Sequence, residues 1–128
     1  MIEFTNYRER IKIDLEPGIW IFDAKSATGK TYLCKCLKDL ELLGEPVASY
    51  TYDDMLLGRD LHSLLSCGKY KVVMLDRYDM YSNAEHRAIQ ECAKSAVVML
   101  DCKRGFKGSI NDRMCFIDIS NKTIEVTP

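Results

Sequence analysis

The chain predicts an α/β protein, a mainly parallel sheet with helices on both faces, and three observations carry that expectation. Short apolar runs rich in β-branched residues alternate with helix-like segments through the middle of the chain. Two of the runs, Val72-Val73-Met74-Leu75 and Val97-Val98-Met99-Leu100, are apolar on both faces, as strands covered on both sides are. Strands and helices in strict alternation pack as parallel βαβ units. The length of 128 residues fits one domain, too small for a catalytic core plus a sizeable lid.

Taken in order, Ile2-Glu3-Phe4 and the alternating Ile11-Lys12-Ile13-Asp14-Leu15 predict an antiparallel hairpin ahead of the first parallel strand. Gly18-Ile19-Trp20-Ile21-Phe22, entered through Pro17, reads as a buried strand. Leu33, Leu37 and Leu40 form one stripe of a helix that Gly44, Glu45 and Pro46 stop. Val47 to Tyr52 is the next strand, and Met55 to Ser66 reads as one helix on Leu57, Leu61, Leu64 and Leu65 despite Gly58. Lys71 to Asp76 is the strongest strand. Ser82 and Glu85 then make a capping box for a helix with Ile89, Cys92 and Ala93 on its apolar side. Ala96 to Asp101 is another apolar strand. After a polar loop to Met114, Cys115 to Ile119 returns through an Asn121-Lys122 turn as Thr123 to Val126, a C-terminal hairpin.

Between the Gly18–Phe22 strand and the first helix lies Ala24-Lys25-Ser26-Ala27-Thr28-Gly29-Lys30-Thr31. That pattern is a phosphate-cradling loop with alanine in the first glycine position. Successive backbone N–H groups wrap phosphate oxygens, and the helix points its positive N-terminal end at the same anion. Gly29 would let the backbone come close, Lys30 would reach the β- and γ-phosphates, and Thr31 would offer its hydroxyl to Mg²⁺. If position 24 needs a positive φ, Ala24 costs on the order of 1 kcal/mol there. The plain alternative is a strand-to-helix turn with a surface lysine. Asp76, delivered at the carboxyl end of a buried strand, is placed to hold Mg²⁺ through water together with Thr31. Asp101, Cys102 or Lys103 would sit at the tip of a neighbouring strand, where a polar group can sense the γ-phosphate.

Composition narrows the partners. Apolar residues at 47%, charged residues at 29% and a formal net charge of −1 describe a soluble globular protein without an overall nucleic-acid footprint. Lys103-Arg104-Gly105-Phe106-Lys107 is the one basic cluster that could touch nucleic acid, or a bound nucleotide instead. No apolar stretch is long enough for a bilayer, and Met1-Ile2-Glu3-Phe4 does not open a signal peptide. The cysteines at 34, 36, 67, 92, 102 and 115 read as thiols in a reducing cytoplasm, rather than as disulfides or a zinc site. His62 and His86 have no neighbour at ligand spacing and read as surface or cap-adjacent residues.

With these residues in place, the chain resembles the P-loop nucleoside-triphosphatase superfamily over about residues 18 to 120. Residues 24 to 31 are similar to its Walker A loop, and Val72 to Asp76 to its Walker B strand. The opening, with Asp14-Leu15-Glu16-Pro17-Gly18 between two strands, is similar to the start of ABC-type and related ATPases. The resemblance implies a three-layer fold in which the Asp101 strand lies between the phosphate-loop strand and the Asp76 strand. It also implies ATP or GTP with Mg²⁺ as ligands, and Lys30 and Asp76 as catalytic residues. Arg77 stands where ABC-type enzymes carry the glutamate that polarises the attacking water, and Asp79 is the nearest substitute carboxylate. Hydrolysis is therefore expected to be weak, or to depend on a protein partner that completes the site.

Two other functions remain open. Asp76-Arg77-Tyr78 followed by Ser82 is similar to thymidylate and deoxynucleoside kinases, which implies Arg77 on an acceptor and Arg104 on the transferred phosphate. A non-catalytic switch would instead have nucleotide contacts order Tyr50 to Asp54 or Tyr78 to Asn83. The base is not specified, because Asn121-Lys122 runs on as Thr123-Ile124 and fails the guanine-reading Asn-Lys-x-Asp pattern.

Overall fold

The structure is a computed structural model that describes residues 1–5, 9–22, 29–76, 81–101 and 113–128. The alternating N-terminal segments form β1 (Ile2–Thr5) and β2 (Arg10–Ile13), paired antiparallel with Ile2 opposite Ile13. The apolar runs become β3 (Gly18–Phe22), β4 (Val47–Tyr50), β5 (Val72–Leu75) and β6 (Val97–Leu100). Four described helices, α1 (Lys30–Leu42), α2 (Tyr52–Leu56), α3 (Leu61–Ser66) and α4 (Asn83–Cys92), lie between them. A long β7 (Arg113–Ser120) and β8 (Thr123–Thr127) close the chain.

All eight described strands join one sheet in the order β1-β2-β8-β7-β3-β6-β5-β4. The run from β7 through β3, β6 and β5 to β4 is parallel, and β6 lies between β3 and β5 as the resemblance implies. The antiparallel hairpins expected at both ends of the chain are present, but they are not separate appendages. β8 pairs in parallel with β2, and so docks the N-terminal hairpin onto the C-terminal one. β7 is long enough to serve both parts. Its first residues pair with β3 and its remainder pairs with β8.

Strand alternation sorts the side chains into two cores. Val72 and Met74 of β5, Val97 and Met99 of β6, and Trp20 and Phe22 of β3 join Leu33, Leu37 and Leu40 of α1 on one face. Val73, Leu75, Val98, Leu100 and Ile21 meet Leu61, Leu64 and Leu65 of α3 and Ile89 of α4 on the other. The expected Leu33/Leu37/Leu40 stripe and the continuous burial of β5 and β6 are as read from the sequence. No described helix is long and apolar enough to cross a membrane.

Two expected boundaries are corrected. The segment Met55 to Ser66 is two helices, because Gly58 takes φ +79° and Asp60 caps a new helix through the N–H groups of His62 and Ser63. The strand expected to reach Tyr52 stops at Tyr50, because the Thr51 hydroxyl and the Asp54 carboxylate form a capping box and start α2 there. The Asn121-Lys122 turn is present, with both residues in the left-handed region at φ +48° and +61°. A two-residue hairpin turn of this kind suits Asn-Gly best. Lys122→Gly should therefore stabilise the domain by about 1 kcal/mol, read as a higher denaturant midpoint at unchanged slope.

Candidate functional site

β3, β5 and β6 run parallel, so their carboxyl ends share one edge of the sheet. Asp76 and Asp101 follow β5 and β6 directly and remain in the ladder. The Asp76 N–H donates to Tyr50 O and the Asp101 N–H to Leu75 O, each at 2.9 Å. The buried Tyr81 hydroxyl donates to the Asp76 carbonyl, fixing the end of β5 against the approach to α4. Tyr81 also meets Tyr50 edge-on at 6.4 Å between ring centroids, so both tyrosines are packing residues.

Helix α1 starts at the same edge. Gly29 is its N-cap and has no side chain to occupy the first-turn N–H groups, while its carbonyl accepts from the Leu33 N–H at 2.9 Å. Its φ of −105° is open to any residue. What requires a glycine is space: a Cβ there would lie 2.9 Å from Ile117 Cγ2 and 3.3 Å from Ile119 Cδ1 of β7. The close approach assigned to this glycine is thus, on its outer side, an approach to β7.

The first residue of α1, Lys30, places its Nζ 3.0 Å from Asp101 Oδ1, with the two side chains 12% and 20% exposed. Beside that pair opens a cleft of about 250 Å³ lined by Thr31, Cys34, Thr51, Tyr52, Asp53, Asp76 and Asp101. Three residues read from separate parts of the sequence, Thr31, Asp76 and Asp101, are therefore brought to one place, with Lys30 at its border. Cys34 is a neutral wall. Burial, reinforced by the Asp76 and Asp101 carboxylates, pushes its thiol up to about 12, and its Sγ lies 3.4 Å from Met74 Sδ.

Thr51, Tyr52 and Asp53 form another wall, within the Tyr50 to Asp54 stretch that the switch reading places in contact with nucleotide. The Thr51-x-x-Asp54 cap directly after a strand builds it. Lys38 of α1 reaches both oxygens of Asp54 at 2.6 Å, and Arg59 Nη1 lies 3.4 Å from Oδ1. Burial alone would raise the Asp54 carboxyl. The Lys38 ammonium and the Thr51 N–H outweigh it and hold the carboxyl below its ordinary value. The segment expected to be ordered by nucleotide is thus already a capped helix pinned to α1.

Of the other expected site residues, Ala24, Lys25, Ser26, Ala27, Thr28, Asp79 and Arg104 lie outside the described residues, as do Arg77, Tyr78 and Lys103. Ser82 caps α4 by accepting from the Glu85 N–H. Cys34, Cys36, Cys67, Cys92 and Cys115 are free thiols. No protein-family model matches the chain, and no curated protein or solved structure matches it either.

Proposed function

We propose that this chain is a nucleoside-triphosphate-binding domain of the P-loop type, with a three-layer core and Mg²⁺-dependent hydrolysis that is weak or completed by a protein partner. The observation that carries the reading is the convergence of Thr31, Asp76 and Asp101 on one cleft, at the carboxyl ends of parallel strands and beside the Lys30 end of α1. Open α/β sheets bind ligands at that edge. A helix start without a capping side chain suits a phosphate.

The residues present fit a magnesium ion. Mg²⁺ takes oxygen ligands and keeps several waters, so it needs only one or two protein groups beside the phosphate oxygens. Thr31 and Asp76 carry such groups, and both residues line the cleft. Bound there, the ion would neutralise charge on the terminal phosphates. Lys30 would hold the β- and γ-phosphates, and Tyr81 keeps the Asp76 backbone in place. Tyr52, 36% exposed on the cleft, is the described aromatic best placed to lie against a bound base or acceptor.

Of the alternatives, the kinase reading rests on Asp76-Arg77-Tyr78 and Ser82, and the expected cap of α4 by Ser82 is compatible with it. The switch reading cannot use Thr51 to Asp54 as a disordered element, since α2 is already formed.

The test is thermal melting with ATP, GTP and thymidine nucleotides, each with and without Mg²⁺, for wild type and Lys30→Ala. A bound triphosphate at 100 times its dissociation constant should add about 2.7 kcal/mol, a shift of several degrees, and Lys30→Ala should remove most of it. Phosphate released from ATP alone marks a hydrolase, and transfer only to an added nucleoside or nucleotide marks a kinase. No shift with any triphosphate would end the reading.

A further inference from the structure

We infer that Asp101 is a selectivity residue: it occupies Lys30 in an ion pair, so that the site favours a polyphosphate that arrives with magnesium. The inference rests on the nucleotide reading and deepens it. The Lys30 Nζ to Asp101 Oδ1 contact of 3.0 Å joins two side chains that are each at least four-fifths enclosed, so solvent and salt screen it less than a surface pair. Both ends are fixed. Lys30 opens α1, and the Asp101 backbone is tied to the neighbouring strand through Leu75 O.

A phosphate that takes Lys30 meets two consequences. Asp101 is left as an enclosed carboxylate without its cation, which is costly in proportion to its burial. The incoming anion also faces Asp76 and Asp101 across the same cleft, two like charges on its path. A divalent cation at Thr31 and Asp76 answers both, because it neutralises the phosphate and the carboxylates together. Lys30 engages its ligand only in the fraction of molecules in which the ion pair is open, and apparent affinity falls by that fraction. The magnesium preference then lies in binding itself, before any chemistry.

The experiment is calorimetric titration of ATP and ADP, in Mg²⁺ and in EDTA, into wild type, Asp101→Asn, Lys30→Met and the double variant. Asp101→Asn should bind the magnesium-free nucleotides about tenfold tighter than wild type. It should change magnesium–ATP binding less, so that the preference for the magnesium complex shrinks. The gain should vanish in the Lys30→Met background, since a latch with nothing to hold has no effect. If asparagine lowers the melting midpoint of the free protein, Asp101→Ser replaces it and the same comparison stands. Binding by wild type that Lys30→Met weakens, with no tightening in Asp101→Asn, would overturn the latch and leave the nucleotide reading intact. Absence of binding in wild type and in Asp101→Asn would overturn both. Tightening of equal size with and without Lys30 would mean simple charge repulsion, and would also overturn the latch.

Discussion

Gly29→Ala is expected to destabilise the domain by about 1–3 kcal/mol, the range for forcing a methyl into a packed site. The backbone at 29 accepts alanine, with φ −105°, so conformational strain is not the cause. The added Cβ would sit 2.9 Å from Ile117 Cγ2, a separation that neighbouring atoms must relieve by moving. Ile117 and Ile119 lie in the part of β7 that pairs with β8 alone, and the β3 pairing of residues 113–115 just before them limits how far the strand can withdraw. Urea unfolding of Gly29→Ala, Ile117→Ala and the pair should show non-additivity of at least about 0.5 kcal/mol, because the second truncation supplies the room the first lacks. Strict additivity would remove β7 from the explanation. The nucleotide-dependent melting shift of the double variant separates two roles of the glycine. If packing were its whole role, the shift returns with stability; if the phosphate also needs a bare backbone, it does not.

Asp54→Ala should cost about 2–3 kcal/mol. It removes the N-cap partner of Thr51 and leaves Lys38 and Arg59 without a shared carboxylate. The value lies below that for a fully buried pair because the Lys38 side chain is 36% exposed. A carboxyl held below its ordinary value stabilises the fold above the unfolded-state pKa, and that contribution disappears as pH falls through the depressed folded value. The wild-type advantage over Asp54→Ala should therefore be full near neutrality and shrink under acid, below the ordinary carboxylate range. Melting midpoints for both proteins between neutrality and acid measure it. A gap that stays constant throughout would mean that Asp54 acts through its shape and not its charge.

How far the sequence spoke depended on the range of the interaction being read. β5 and β6 were legible because four apolar residues, two of them β-branched, form a run too short for a helix and fit a strand covered on both faces. The α1 stripe was legible for the same local reason. Gly58 was underweighted, because the leucines on either side keep helical spacing while the backbone between them turns away. The docking of β8 on β2 could not be read, since pairing across more than a hundred residues leaves no local trace. Within the site, Lys30, Thr31 and Asp76 were found by their motif. Asp101 was recognised as a polar strand tip, but its partnership with Lys30 depends on strand order, which only the fold supplies. Cys34 reaches the cleft by helix geometry alone, with no motif to announce it.

The free side of the last strand carries a consequence of its own. On β4, the Ser49 N–H donates to Glu41 Oε1 at 3.1 Å, and its carbonyl accepts from Lys38 Nζ and Arg59 Nη1 at 3.2 Å each. Arg59 also pairs with Glu41, which ties the three side chains into one plug. A foreign strand seeking to extend the sheet at this rim must first dislodge charged groups from the main-chain atoms it would need. The same residues that brace the cleft wall thus guard against runaway stacking of copies. Should α2 come loose, the cleft would lose one wall and Lys38 and Arg59 would lose their Asp54 anchor, while Glu41 of α1 would still cover the Ser49 N–H.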